Sequence, residues 1–551
     1  MRGLLALLAL CPACGDQPPV GEIHYEVLRY DYAFDLETRE ATAAVEMRVI
    51  EEGDCVSIPM RSAPGAVFLG EEPITGGALE DGVLTACGAG WWKGEELTLQ
   101  TAVTVPLETW GESQVGYSVS TDIEGKPFHY LVSWVGGCDR FGPCDSAPAR
   151  FARYRFTVTH PAGTTVLCPG TITAEATRTV CEFDHDGGPT YSTFAIMASQ
   201  SWERIDLGTH SGLTLTLYDS PSTDVTEDLE VDRHRAFIGW MESLFGPYPY
   251  GDELRLATGP TYWAGFEHPG NILFNDRLSN SLFGRRDLLT ANGNHEISHM
   301  WAGNQTTLAG TYDFVWKEAM AQYLPFVFDE GVAPSAAITE VSSWKQSAVY
   351  AEYFLVPGEE PPLLDYYSDV YAAGPMIFFR QIEALFDRDA VLEALANLLG
   401  EPRFIGVADV QAALEDATGA DLTAYFDAWV YGEGAPHWPE FTVTLSDADD
   451  GQVDVTVTQQ DPEAGLFGCA FAIALVGEAD QRHEVWIDLG TDGRAETTVS
   501  ATPGFAVTDY VFDPHNHCLA YERRPTAAPI PPRPRPRHLA PRPPVPHPDF
   551  Y

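Results

Sequence analysis

The spacing of apolar residues divides the chain into three stretches. From residue 22 to 203 apolar and polar side chains alternate, as in Ile23-His-Tyr-Glu-Val-Leu-Arg-Tyr-Asp-Tyr-Ala-Phe34 and Ala44-Val-Glu-Met-Arg-Val-Ile50, with Gly and Pro at the breaks. A period of two buries one face of a strand, so this stretch predicts a β-sandwich-like domain. After one more strand-like run, Leu213-Thr-Leu-Thr-Leu-Tyr218, the period lengthens. Helical spacing runs from Asp228 to Phe245, and most segments from Arg285 to Tyr431 read as helices. Alternation returns between 440 and 522, in Phe441-Thr-Val-Thr-Leu445 and Val453-Asp-Val-Thr-Val-Thr458, and predicts a small C-terminal β-domain. The expected fold class is therefore α+β. Its expected units are a β-domain at 22–203, a mainly helical domain at 204–437 and a β-domain at 438–522. Residues 523–551, rich in Pro and Arg, read as an extended tail. No internal repeat is visible.

Chemistry enters at His295-Glu296-Ile297-Ser298-His299. Helix positions four apart lie one above the other, so His295 and His299 can aim imidazole nitrogens at one ion, with Glu296 beside it. After eighteen intervening residues, Glu318 sits in a second, mostly apolar helix among Val315, Ala319, Met320, Tyr323 and Leu324. A carboxylate in such company is costly to bury unless it is paired or bound to a metal. Two His and one Glu around zinc leave a fourth position for water, which is the arrangement of a catalytic rather than a structural site.

Length and charge narrow the partners. At 551 residues the chain can bury several cores, and 80 acidic against 32 basic residues give a formal charge of −48. Phosphate backbones would be repelled, which excludes nucleic acid as a partner. The N-terminus, Met1-Arg-Gly-Leu-Leu-Ala-Leu-Leu-Ala-Leu-Cys11-Pro-Ala-Cys14, resembles a bacterial export signal, with Cys14 as the candidate lipidation site. No later stretch reaches the eighteen or so apolar residues that a membrane helix needs, so membrane attachment is expected only through this end. The remaining eight cysteines fall into neighbouring pairs, Cys55 with Cys87, Cys138 with Cys144, Cys168 with Cys181 and Cys469 with Cys518. Their even number and distance from the zinc motif suggest disulfides made in an oxidising compartment.

The residues around the zinc motif resemble a known family. His295-Glu-Ile-Ser-His-Met-Trp301-Ala-Gly303-Asn304, then Trp316-Lys317-Glu318-Ala319, is similar to the HExxHxWxGN and "NEG" segments of aminopeptidase N-like gluzincins, a family that also contains leukotriene hydrolase. Lys317 and Ala319 replace the flanking Asn and Gly, a departure expected to touch packing around the ligands more than ligation. Ala264-Gly265-Phe266-Glu267-His268-Pro269-Gly270 resembles the "GAMENxG" motif, with Glu267 in place of its Glu and His268 in place of its Asn. Phe141 to Thr159 resembles the "PCxDEPxxKAxFxxxV" segment, and Asp421 to Pro436 the end of the family's catalytic domain. A "TQxE"-like turn has no counterpart; Ser133-Trp134-Val135-Gly136 stands nearest. Too few residues follow Pro436 for the long helical-repeat domain that many members carry, which would leave the active-site cleft open.

The resemblance implies a thermolysin-like catalytic domain and a zinc aminopeptidase acting on peptides with a free N-terminus. Zinc would sit on His295, His299 and Glu318, with Glu296 handling the proton of the attacking water. Glu267, with Gly265 and His268 around it, would meet the substrate's ammonium group. Among Tyr366, Tyr367 and Tyr371, the sequence Tyr371-Ala-Ala-Gly374 matches the family's "YxKG", which makes Tyr371 the expected oxyanion donor, with Ala373 where that pattern has Lys. A thermolysin-type endopeptidase, an epoxide hydrolase and a catalytically inactive peptide-binding relative remain as alternatives.

Overall fold

The computed structural model describes residues 19–524 apart from 75–77, 111–114, 135, 192–193, 279–283, 448–450 and 461–464. The segment expected to be an export signal, with Cys11 and Cys14, and the tail beyond Arg524 lie outside the described residues.

The alternating N-terminal stretch forms two facing sheets. Strands His24–Asp35 and Glu40–Glu51 pair antiparallel at the centre of an eight-stranded sheet, and their alternate residues Tyr30, Tyr32, Phe34, Val45, Met47 and Val49 are buried. A five-stranded sheet, containing β1 (Pro127–Ser133), covers that face. The rings of Tyr32, Tyr154 and Phe156 on the larger sheet meet Phe194 on the smaller, and Phe34 meets Tyr117 edge-on at 5.0 Å. Rings interleaved in this way form the core of a sandwich.

A second five-stranded sheet follows, with strand order Glu203–His210, Leu213–Asp219, Glu253–Gly259, Asn271–Asn275, Gly265–His268. Its inner pairs are parallel, and the last strand turns back antiparallel onto its neighbour. That last strand, β2 (Gly265–His268), and its neighbour β3 (Asn271–Asn275) are buried almost throughout. β2 runs alongside α1 (Arg285–Ser298), the helix that carries the zinc motif.

Beside α1 lies α2 (Phe314–Val332), buried from Phe314 to Val327. A helix apolar on all sides belongs at the centre of a bundle, and α2 packs against α1 and α3 (Leu363–Pro375). Two small sheets close the chain, a four-stranded and a three-stranded one, joined through Phe441, Phe471 and Phe512. They are tied to the helices by the Lys345–Asp513 ion pair at 2.8 Å and by Trp429 donating from Nε1 to the carbonyl of Gly468. The α+β class expected from the periodicity is the one observed.

All four neighbouring cysteine pairs are bridged: Cys55–Cys87, Cys138–Cys144, Cys168–Cys181 and Cys469–Cys518. Such a set marks folding in an oxidising, extracytoplasmic compartment. Among the described residues no helix is long and apolar enough to cross a membrane. Cys469 and Cys518 are 49 positions apart, against 6 for Cys138 and Cys144. Loop-closure entropy then assigns the longer bridge about 4 kcal/mol and the shorter one about 2. Replacing Cys469 and Cys518 by Ala is expected to lower the calorimetric unfolding temperature of the C-terminal sheets clearly more than removal of Cys138–Cys144 lowers that of the N-terminal ones.

Candidate metal centre

The histidines stand at the end of α1. His295 is within the helix, while His299 is its C-cap and keeps a right-handed helical conformation (φ −64°, ψ −16°), so the four-residue spacing still aligns the two rings. The helix stops there because the chain folds into a tight turn. Asn304 N–H donates to the His299 carbonyl, Thr306 N–H to that of Trp301, and Gly303 N–H to that of Thr306. Trp301, fully buried, anchors the turn through an Nε1–H bond to the Gly246 carbonyl.

Three donor atoms converge from two helices. His295 Nε2 and His299 Nε2 are 3.1 Å apart, and Glu318 Oε2 on α2 lies 3.3 Å from the first and 3.7 Å from the second. The edge of a tetrahedron around a zinc ion with bonds near 2.05 Å is about 3.3 Å. The residues therefore fit a divalent cation of zinc's size, and Glu296 offers a further carboxylate oxygen within 4.8 Å of the two imidazoles.

The far side of the His299 ring is held as a metal-binding imidazole requires. His299 Nδ1 meets the Ala302 carbonyl at 2.9 Å, which holds the proton on Nδ1 and leaves Nε2 a free lone pair. At His295 the arrangement differs: Gln322 donates from Nε2 to His295 Nδ1 at 2.9 Å, and Gln322 Oε1 accepts from Trp344 Nε1–H. Burial, the larger effect, holds His295 below the ordinary imidazole range against the pull of Glu318. Burial alone would raise Glu318, but the Lys317 ammonium and the two imidazoles outweigh it and hold the carboxyl well below the usual range. Glu296 goes the other way: burial, and then the charges of Glu267 and Glu318, push it well up.

Of the other residues singled out in the sequence, Gly265 and Glu267 lie against the same centre and His268 does not. Gly265 is the floor under Glu296, since a Cβ there would come within 2.5 Å of Glu296 Oε1. Glu267 is buried and paired with Lys317 at 2.8 Å. His268 turns toward the N-terminal sandwich, where its Nε2 meets the Tyr130 hydroxyl of β1 at 2.6 Å, and burial lowers its pKa to about 3.

The three tyrosines separate by position. Tyr371 lies against His295, ring centroids 5.7 Å apart. Tyr367 donates its hydroxyl to Glu318 Oε2 at 3.1 Å and packs on Trp263. Tyr366 is turned away and donates to the carbonyls of Tyr312 and Leu355. A wide cleft of 910 Å³ opens elsewhere, lined by Phe34, Arg61 and Val103 of the N-terminal domain, and among the described residues no metal-ligating cluster of this kind lies in it.

The sequence reading left out Gln322 and Tyr130 and treated Lys317 as a packing change. Gln322 had a signal, because it is four residues after Glu318 and so on the same face of α2. Lys317 had one too, as a lysine in a mostly apolar helix. Tyr130 had none.

No protein-family model matches the sequence, and no curated protein matches it. A solved structure does: Legionella pneumophila aminopeptidase A in complex with aspartic acid matches with a TM-score of 0.73 at 15% sequence identity, over 92% of this chain and 60% of that one. The chain has the fold of an aminopeptidase. At that identity the likeness is one of fold, and the chemistry rests on the side chains described above.

Gly265→Ala tests how tightly the floor is built. Overpacking at a buried site costs roughly 1–3 kcal/mol, so the denaturation midpoint should fall and the Glu296 carboxyl should move in a crystal structure of the variant. An unchanged midpoint would mean that Glu296 swings aside freely.

Proposed function

We propose that this protein is a zinc-dependent aminopeptidase, hydrolysing the first peptide bond of peptides with a free N-terminus. The observation that carries the reading is the triangle of His295 Nε2, His299 Nε2 and Glu318 Oε2, with Glu296 and Glu267 buried beside it. One zinc ion per chain, held by those three atoms, would polarise the scissile carbonyl and bring the pKa of a water toward neutrality.

The side chains do the rest. Glu296 accepts the proton of the attacking water as its oxygen bonds to the carbonyl carbon, and returns it to the departing nitrogen as the C–N bond breaks. Tyr371, beside His295, donates to the developing oxyanion, a bond worth about 3 kcal/mol. Glu267 takes the substrate's ammonium and so sets the first peptide bond against the metal ligands. The amino acid bound in the Legionella structure is the kind of product such a reaction releases, which supports the same reading. The disulfides support an enzyme working outside the cytoplasm, with the N-terminal segment as its export signal and Cys14 as its candidate lipid anchor.

A panel of aminoacyl reporter substrates beside their N-acetylated forms tests the proposal, with and without a zinc chelator. Chelator-sensitive turnover of the free-amine set alone is expected. Equal turnover of both sets would instead indicate a thermolysin-type endopeptidase, and none by zinc-loaded protein a peptide-binding relative. Glu296→Ala should keep its zinc and lose at least about a thousandfold in kcat, beyond the 10²–10⁴ range's lower end for general-base catalysis. Retained turnover would place water activation on another group.

A further inference from the structure

Lys317 is a buried residue of the site that the reaction above does not use. It is 3% exposed, and its ammonium lies 2.8 Å from Glu267 Oε1 and 2.9 Å from Glu318 Oε1. Glu318 directs its other oxygen, Oε2, at His295 and His299. One nitrogen thus joins the carboxylate proposed to bind the substrate's amine to the carboxylate placed to hold the metal.

The contact is built into the fold. Lys317 precedes Glu318 on α2, and its stem crosses Gly303 in the turn after the zinc motif. A Cβ on Gly303 would meet Lys317 Cε at 2.6 Å and Cδ and Cγ at 3.0 Å, and the φ of +133° is one that residues with a side chain rarely adopt. The turn that ends α1 therefore leaves a slot that the lysine stem fills. Without a partner for Oε1, either carboxylate could rotate and present the wrong oxygen to the centre.

We infer that Lys317 is a positioning residue, a clamp that fixes the substrate-amine acid Glu267 relative to the metal-holding acid Glu318. The inference rests on the aminopeptidase reading for what Glu267 binds, but not for the clamp on Glu318. Two effects of removing the ammonium oppose each other. Losing a positive charge beside Glu267 favours binding of a substrate ammonium and acts on KM. Losing the clamp loosens the distance between amine anchor and metal ligands and acts on kcat, where a misplacement of about 1 Å costs on the order of 10²-fold.

The test uses Lys317→Met, which keeps the stem without the ammonium, and Gly303→Ala, which keeps the charge but crowds the stem. Both are checked for native melting before use. With free-amine reporters, Lys317→Met should lose about 10²-fold in kcat with KM unchanged or lower. A kcat within threefold of the parent, whatever happens to KM, would overturn the clamp. Cobalt-substituted protein gives a readout independent of turnover. The visible absorption bands should shift in Lys317→Met and in Gly303→Ala, because Glu318 is released to present its oxygens differently, and should not shift in Glu267→Gln. Identical spectra for the parent and Lys317→Met would also overturn it. If the parent protein cleaves neither reporter set, the aminopeptidase reading fails while the cobalt spectra still decide the clamp.

Discussion

Three carboxylates buried within one site set the terms for the rest of this structure. Glu267, Glu296 and Glu318 are each under 5% exposed. A carboxylate taken out of water without compensation costs several kcal/mol, and like charges this close add to it. The elements converge so as to supply compensation: two imidazoles from the end of α1, one ammonium from α2 and a tyrosine hydroxyl from α3. The three donor atoms left facing one another have the spacing of a divalent cation's ligands, and a cation there completes the balance. The site is best understood as a buried negative charge around which positive and hydrogen-bonding groups have been gathered.

Precision comes from backbone that has little freedom. α1 ends within one residue of its second histidine, and the turn that follows returns its N–H groups to the carbonyls of the last helical turn, including that of His299 itself. The same turn supplies the Ala302 carbonyl that holds the His299 ring and the glycine that admits the Lys317 stem. Helix end, ligand orientation and charge compensation are therefore one local structure. On the other side, β2 contributes a residue without a side chain where Glu296 needs room, and two positions later the acid that faces Lys317.

The N-terminal sandwich takes part in the site. Tyr130 on β1 crosses to His268, and Arg255, itself buried, donates from its guanidinium to the Gly170 carbonyl of the sandwich and to the Asn271 side chain at the start of β3. Buried polar contacts of this kind resist sliding, because separating the partners would leave each unsatisfied in an apolar setting. They hold the sheet bearing β2 in place on the sandwich, and with it the position of Glu267.

Much of this was legible along the chain. Period-two and helical spacing separate the β-rich stretches from the helical one, since each reflects how a single element buries one face. The candidate ligand set is equally local in origin: His295 and His299 share one helix face, and Glu318 stands out as an acid in a mostly apolar helix. Cys55 and Cys87 stand directly opposite each other on paired strands, so there the bridge follows the strand pairing. Tertiary structure alone decided the contacts that tune these groups. Tyr130 meets His268 across 138 positions, Gly265 lies beneath Glu296, Lys317 bridges two acids carried on a strand and a helix, and Tyr367 reaches Glu318 from a third helix. The physical reason is one of range. Periodicity and burial cost belong to a residue and its near neighbours, whereas an ion pair or a hydrogen bond between separate elements depends on how those elements pack, which no stretch of sequence specifies by itself.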